Sequence, residues 1–438
     1  MGKKHRVYSL STENCASART SVSVDPLGIT PSLPQASKVS LFITASLLAS
    51  GGVVCVALLW RSRLYAIFRG VTLSVYIAIL AGLESYTEGW PGWLLALLLG
   101  LHGAVLVQSL SLVWPRPRPW AYRALVSIPA AYFSAATLLA FPWALASAFG
   151  YALPAVWLPF GLALAGIAES LGAREEEVDV VVADGKVVQG LKRHVPPSER
   201  VAEPLRIVQI TDPHLGPFMS VERLRQMCER AVSKDPDLVL LTGDFLTMES
   251  QDDPSLLADA LDPLRALPGR CFACRGNHDH EAPETVRLGL QRAGVELLVD
   301  SATLVQTRVA PVQIVGMDFH FRRRRARMQA VCERFPRIPS ALRLVLLHDP
   351  GAFRLLPEGE ADLVLSGHTH GGQVGLISLG LSWTLLRWLA RAPDHGFWAR
   401  GTDRLYVHRG TGHYGFPLRL GVPAEQSVLR VHVSEWEG

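Results

Sequence analysis

At 438 residues the chain is too long for one ordinary core, so two or more domains are expected. A hydrophobic fraction of 49% and a mean hydropathy of +0.22 are high for a soluble protein and imply a membrane portion. The net charge of only +4, with no long basic stripe, gives no case for a nucleic-acid partner.

Residues 1–38 carry Ser, Thr, Pro and several basic residues without apolar periodicity and read as a flexible tail. The stretch 39–171 reads as a membrane region of about five helices. Val39 to Trp60 runs without a charge for 22 residues, enough to cross a hydrocarbon core at about 1.5 Å per residue. Leu64 to Leu83 contains Arg69 near one end, where a long side chain can snorkel. Trp90 to Trp114 has tryptophans at both ends, suited to a membrane surface. Ala124 to Ala168 is uncharged over 45 residues, about twice one crossing, with a turn expected around Gly150 to Pro154. Arg61, Arg63 and Arg69 surround the first connection and Arg116, Arg118 and Arg123 the third, while the second holds Glu84 and Glu88. The positive-inside rule makes the first and third connections cytoplasmic, and five spans then leave the C-terminal half in the cytoplasm of a multi-pass membrane protein.

After Leu171 the sequence turns charged and mixed. Residues 172–204 are expected to form a hairpin, Val178 to Ala183 and Lys186 to Leu191 around Asp184-Gly185, and then a Pro-containing linker. From 205 to 438 apolar strands alternate with helices, which predicts an α/β sheet domain. Six cysteines are scattered over the chain rather than packed as a disulfide framework. Cys271 and Cys274 form a Cys-x-x-Cys pair, but on a strand residues three apart face opposite sides, so they read as unrelated thiols.

Polar residues follow where the apolar strands stop. They are Asp212 and His214 in Thr-Asp-Pro-His-Leu-Gly, Asp244 in Thr-Gly-Asp, Asn277, His278 and Asp279 in Gly-Asn-His-Asp, His348 in Leu-Leu-His-Asp-Pro, and His368 and His370 in Ser-Gly-His-Thr-His-Gly-Gly. In sheet proteins of this kind such groups gather in the crevice outside the strand ends. Carboxylates, imidazoles and one amide oxygen suit borderline divalent ions such as Mn, Fe or Zn. A carboxylate can give one oxygen to each of two metals.

This ordered set, from Thr211 to Gly372, resembles the calcineurin-like metallophosphoesterase superfamily. The run Gly410 to Gly421 and the multi-span N-terminal half further resemble transmembrane proteins with a metallophosphoesterase domain and their bacterial relatives. The resemblance implies a two-sheet α/β sandwich with helices on its outer faces and a metal-dependent hydrolase of phosphomonoesters or phosphodiesters with two divalent metal ions. It implies that Asp212, His214 and His370 hold one metal, that Asn277, His348 and His368 hold the other, and that Asp244 bridges them. His278 matches the histidine that assists the leaving group and Asp279 the carboxylate that orients it.

His320, His395, His408 and His413 read as ordinary loop or strand histidines, Arg322 to Arg325 with Arg327 as a solvated face that could meet anionic lipid, and Arg419 as structural rather than phosphate-binding. Leu376 to Leu389 is apolar for a loop beside such a site. It fits either core packing or a surface resting on the bilayer through Trp383 and Trp388, with Arg387 and Arg391 near headgroups. Three functions are compatible with these features: hydrolysis of a membrane-associated phosphoester such as a phospholipid, hydrolysis of soluble nucleotides or phosphoproteins by a tethered enzyme, and non-enzymatic transport or receptor work.

Overall fold

The computed structural model describes residues 41–182 and 203–433. Residues 1–38, the second strand of the expected hairpin and most of the linker lie outside them.

The first half is helical: α1 (Leu41–Trp60), α2 (Arg63–Leu83), α3 (Gly92–Ser111), α4 (Trp120–Tyr122), α5 (Ile128–Leu139), α6 (Phe141–Ala148) and α7 (Leu158–Ser170). Ser62 caps α2 by accepting from the Tyr65 amide at 3.1 Å. A π-helical turn over Arg123–Ser127 joins α4 to α5, and the axis bends by 47° at Ala140, where Pro142 removes a helical donor. Large apolar side chains point outward, among them Leu48, Leu59, Leu64 and Trp120, as they would toward lipid rather than water. Among the described residues three helices, α1 to α3, are long and apolar enough to cross a membrane, and the bent run α4 to α6 makes a fourth if taken as one span. The fifth expected crossing falls on α7, which has 13 residues, about 20 Å at 1.5 Å each against a core of about 30 Å, and is shorter than the other candidates.

The second half is a sandwich of two six-stranded sheets. One contains β1 (Arg174–Val182), β2 (Leu205–Ile210), β3 (Leu238–Leu241), β4 (Cys271–Ala273), β5 (Glu296–Leu297) and β12 (Glu425–Val433), in the order β1-β12-β2-β3-β4-β5. The other contains β6 (Ser301–Gln306), β7 (Pro311–Met317), β8 (Leu342–Leu347), β9 (Leu363–Ser366), β10 (Gly396–Arg400) and β11 (Asp403–Val407), in the order β10-β11-β9-β8-β7-β6. β1, which contains the first arm of the expected hairpin, pairs in parallel with β12, Arg174 opposite Glu425; the second arm lies outside the described residues. A tertiary partner 251 residues away is invisible to local turn chemistry.

Three apolar layers hold this sandwich. Ile207, Leu240, Leu344 and Leu365 fill the space between the sheets. The first sheet's outer face packs on α8 (Val221–Ser233), α9 (Pro254–Leu261) and α10 (Pro283–Arg292), and the second sheet's on α11 (Arg324–Arg334). Cys271 belongs to the outer layer and Cys274 to the inner one, on opposite faces as strand geometry requires. Within the first sheet β2, β3 and β4 run parallel, and within the second β7, β8 and β9 do, so their C-terminal ends open on a common crevice.

The helical half is docked on the edge of this crevice. Arg123 donates to the carbonyls of Gly216 and Pro217 at 2.7 and 2.8 Å. At the end of α7, Ser170 accepts from the Arg419 amide at 2.8 Å and Glu169 from the Gly421 amide at 2.5 Å. A Cβ on Gly166 would lie 2.9 Å from the Arg419 carbonyl oxygen, so only glycine permits this approach. Gly166→Leu should pry the turn 416–421 from α7, giving faster proteolysis there and a melting temperature lowered by several degrees. An unchanged cleavage pattern would contradict this docking.

Candidate metal centre

The strand ends bring two groups of donors together. Asp212 and His214 follow β2 and meet His370 beyond β9; Asp244 follows β3 and meets His348 at the end of β8 and His368. Within each group the ligand atoms lie within 4.8 Å of one another. Asp244 joins the groups, its Oδ2 lying 3.2 Å from His348 Nε2 and 3.7 Å from His214 Nε2. Asp212 Oδ1 is 3.8 Å from His214 Nε2 and 3.6 Å from His370 Nε2.

The backbone bends sharply to do this. Asp212, His214, Asp244, His368 and His370 all have positive φ, between 47° and 68°. That conformation is strained for residues with side chains and is held at a cost of about 1–3 kcal/mol each where the surroundings over-determine it. A Cβ on Gly276 would sit 2.1 Å from Asp244 Oδ1, and one on Gly367 would sit 2.1 Å from Asp212 Oδ2, so both loops need glycine to pass the carboxylates.

Hydrogen bonds aim the donors. The Asp212 carboxylate accepts from the Thr211 hydroxyl at 2.7 Å and the His368 amide at 2.9 Å, and Asp244 Oδ1 accepts from the His278 amide at 2.8 Å. His348 Nδ1 donates to the Thr242 carbonyl at 2.6 Å, which leaves Nε2 free to face the crevice. Burial pushes the His214 imidazole down to about 3 and His370 well below its ordinary value. Burial also opposes the charges on Asp244 and His348, but each offsets it for the other: the imidazole holds the Asp244 carboxyl below the usual range, and the Asp244 and Asp212 carboxylates raise His348 to about 10.

The donor set fits cations. Both ring nitrogens of His214, Nδ1 of His370 and Oδ1 of Asn277 are buried without a hydrogen-bond partner among the described residues, and His368 Nδ1 lies 3.2 Å from His348 Nε2. Such groups are costly unless something satisfies them, and nitrogen and oxygen donors without a thiolate suit a divalent ion.

His278 stands at the rim with 28% of its side chain exposed. The carboxylate on its ring is not Asp279, as expected, but Glu281, whose Oε1 lies 2.7 Å from His278 Nδ1. Asp279 is fully buried and accepts from the amides of Gly276 and Asp244 at 2.8 Å and Phe245 at 2.9 Å, which ties the β3 loop to the β4 loop. The reason is local: His278–Glu281 forms a 3₁₀ turn, in which residues i and i+3 eclipse. That His-x-x-Glu spacing was the available signal. Glu281 is held in turn by Gln251 at 2.8 Å, and Gln251 by Arg61 of the α1–α2 connection at 3.1 Å.

Tyr414, within the Gly410 to Gly421 run, is a further neighbour to which the sequence reading attached no role. Its ring stacks on His214 at 5.0 Å and meets His278 edge-on at 4.9 Å. Arg419 is fully buried and its terminal nitrogens donate to backbone carbonyls, including those of His370, Arg409 and Gly410. His320, His395, His408 and His413 join neither donor group.

Two linked donor groups at the strand ends of an α/β sandwich define a metal-dependent hydrolase of phosphoesters. The calcineurin-like phosphoesterase family model matches residues 205–372. The chain is 30% identical to phosphodiesterase YaeI of Escherichia coli K12 over 239 residues, covering 52% of this chain and 83% of that one. It is 29% identical to an uncharacterized metallophosphoesterase of Helicobacter pylori J99, covering 53% of this chain and 61% of the relative. It is 26% identical to the UDP-2,3-diacylglucosamine pyrophosphatase LpxG of Chlamydia muridarum, covering 52% and 83%. The chain belongs to the calcineurin-like phosphoesterase family.

The two carboxylates beside His278 should separate experimentally. Asp279→Ala strands three buried amides and should lower unfolding stability by about 3 kcal/mol or more, whereas Glu281→Ala at the partly exposed rim should cost less than about 1 kcal/mol. Equal losses in denaturant unfolding would contradict the separation.

Proposed function

We propose that this chain is a membrane-anchored, dinuclear phosphoester hydrolase whose substrate is an amphiphilic phosphoester at the bilayer surface. The observation that carries the catalytic part is the position of Asp244 Oδ2 between the two donor groups. Asp212, His214 and His370 would hold one divalent ion, Asn277, His348 and His368 the other, and Asp244 both. When bound, the ions would supply an activated water for in-line attack on phosphorus and offset the phosphoryl charge. His278 would donate to the departing oxygen from the rim, and Glu281 would hold its ring in the required tautomer and orientation.

The amphiphilic substrate is supported by what surrounds the crevice. In the 376–389 segment Trp383 is 43% exposed, Trp388 66% and Leu379 74%, which weighs against core packing. Ser378 bonds Glu169 in the last turn of α7, so this apolar surface lies beside the end of the helical half. The LpxG relative is named for a diacylated substrate. The arginine-bearing connections support a cytoplasmic catalytic half: Arg61 and Arg123 touch it directly, and the positive-inside rule puts such connections in the cytoplasm however many helices cross.

Asp244→Asn should lose bound metal together with turnover. His278→Ala and Glu281→Gln should keep the metal and lose rate, about 10²-fold or more for His278→Ala on poor leaving groups, and less on p-nitrophenyl esters. Metal analysis with both ester classes tests the roles; full activity with Asp244→Asn would sink them.

For the substrate, Trp383→Ala combined with Trp388→Ala should leave a small soluble phosphodiester nearly unaffected and lower turnover of a bilayer-embedded phosphoester by about tenfold or more. Equal losses on both would point to a soluble substrate.

A further inference from the structure

A cavity of about 430 Å³ runs between the helical half and the metal centre. Its walls come from α2, α3 and α5 and, at the upper end, from the loops carrying His214 and Tyr414. We infer that this slot is the acyl-chain site of the amphiphilic substrate, holding one tail between α2 and α5 while the phosphoester lies at the metals. The inference rests on the reading of the substrate above and adds where the tail goes.

Four features fit that occupant. Along the α2 and α5 walls the slot is lined by Val71, Val75, Ala130, Ala131 and Leu138, with the hydroxyl-bearing Thr72, Tyr76 and Ser134 among them. From Ser127 to Leu138 the α5 wall is about 16 Å long, close to half of an approximately 30 Å hydrocarbon core and so to one leaflet. Val71 and Val75 are 60% and 48% exposed although they line the slot, so it opens sideways where lipid would be. The slot also reaches a candidate metal ligand, His214, where bound cations would receive an anionic head; Arg69 and Glu249 are the charged side chains of its lining.

A polar network also lines the slot. Ser127 donates to Gln108 at 3.1 Å, and Gln108 to Glu249 at 3.0 Å, joining α3 and the π-helical turn before α5 to the loop after Thr247. A tail in the slot would therefore meet mainly apolar side chains of α2 and α5, with the Gln108–Glu249 network beside the loop after Thr247.

The test uses the full chain in lipid nanodiscs, with bis(p-nitrophenyl) phosphate as substrate and ethyl-, octyl- and dodecylphosphonate as inhibitors below their micelle-forming concentrations. Inhibition should strengthen at least about tenfold from the ethyl to the dodecyl compound, since each methylene leaves water for the slot. Ala131→Trp and Ser134→Trp, which fill the slot, should each collapse that ratio toward one. Leu47→Trp, on α1 outside the slot, should preserve it. The ratio is taken within each variant, so a general loss of activity does not mimic the result.

No chain-length dependence in the parent, or a dependence that survives both filling variants, would overturn the slot. If the dependence behaves as expected while no bilayer phosphoester is hydrolysed, the substrate reading falls and the tail site stands.

Discussion

One carboxylate organises the catalytic half. Asp244 lies 98% out of solvent between His214 and His348, and a buried charge is tolerated only with opposite charge beside it. From that requirement follow the glycine at 276 that lets a neighbouring loop pass its Oδ1, the left-handed backbone at five donor positions, and the His278 amide that fixes its rotamer. Strain is concentrated at the strand ends and held by the apolar layers on both sides of each sheet.

The helical half is part of the same construction rather than a remote anchor. Arg123, Ser170 and Glu169 bond directly to loops that approach the donors, and Arg61 begins a relay through Gln251 and Glu281 to the ring of His278. Such a relay gives the connection between α1 and α2 a means of setting the orientation of a rim histidine. It also places the apolar helices where an amphiphile could reach the crevice without entering water, since the slot between them ends at His214.

The six residues that the structure gathers into two groups were legible because each lies within a few residues of the end of an apolar strand, and parallel strands in one sandwich must end on one side. The alternation of strands and helices and the three long apolar helices were legible for the same reason, since hydrophobic period and length are properties of local sequence. The opposite-facing Cys271 and Cys274 followed from strand geometry alone.

Other features depend on partners that sequence does not bring together. β1 pairs with β12 from the far end of the domain, a partner that turn chemistry around Asp184-Gly185 does not reveal. Asp279 looked like the orienting carboxylate because it is adjacent to His278, but adjacent side chains in a 3₁₀ turn diverge while Glu281, three residues on, stands beneath the ring. Tyr414 comes to His214 only because the C-terminal loop folds back over β2 and bonds Thr211 and Asp212 through the amides of Thr411 and Gly412. The sequence by itself determined the donor types that follow the strands, the long apolar runs and the alternation of strands with helices, all of which arise within a few turns or strands of chain. Tertiary structure decided which carboxylate meets the rim histidine and how the helices meet the crevice, because those contacts join residues whose separation in sequence has no bearing on their separation in space.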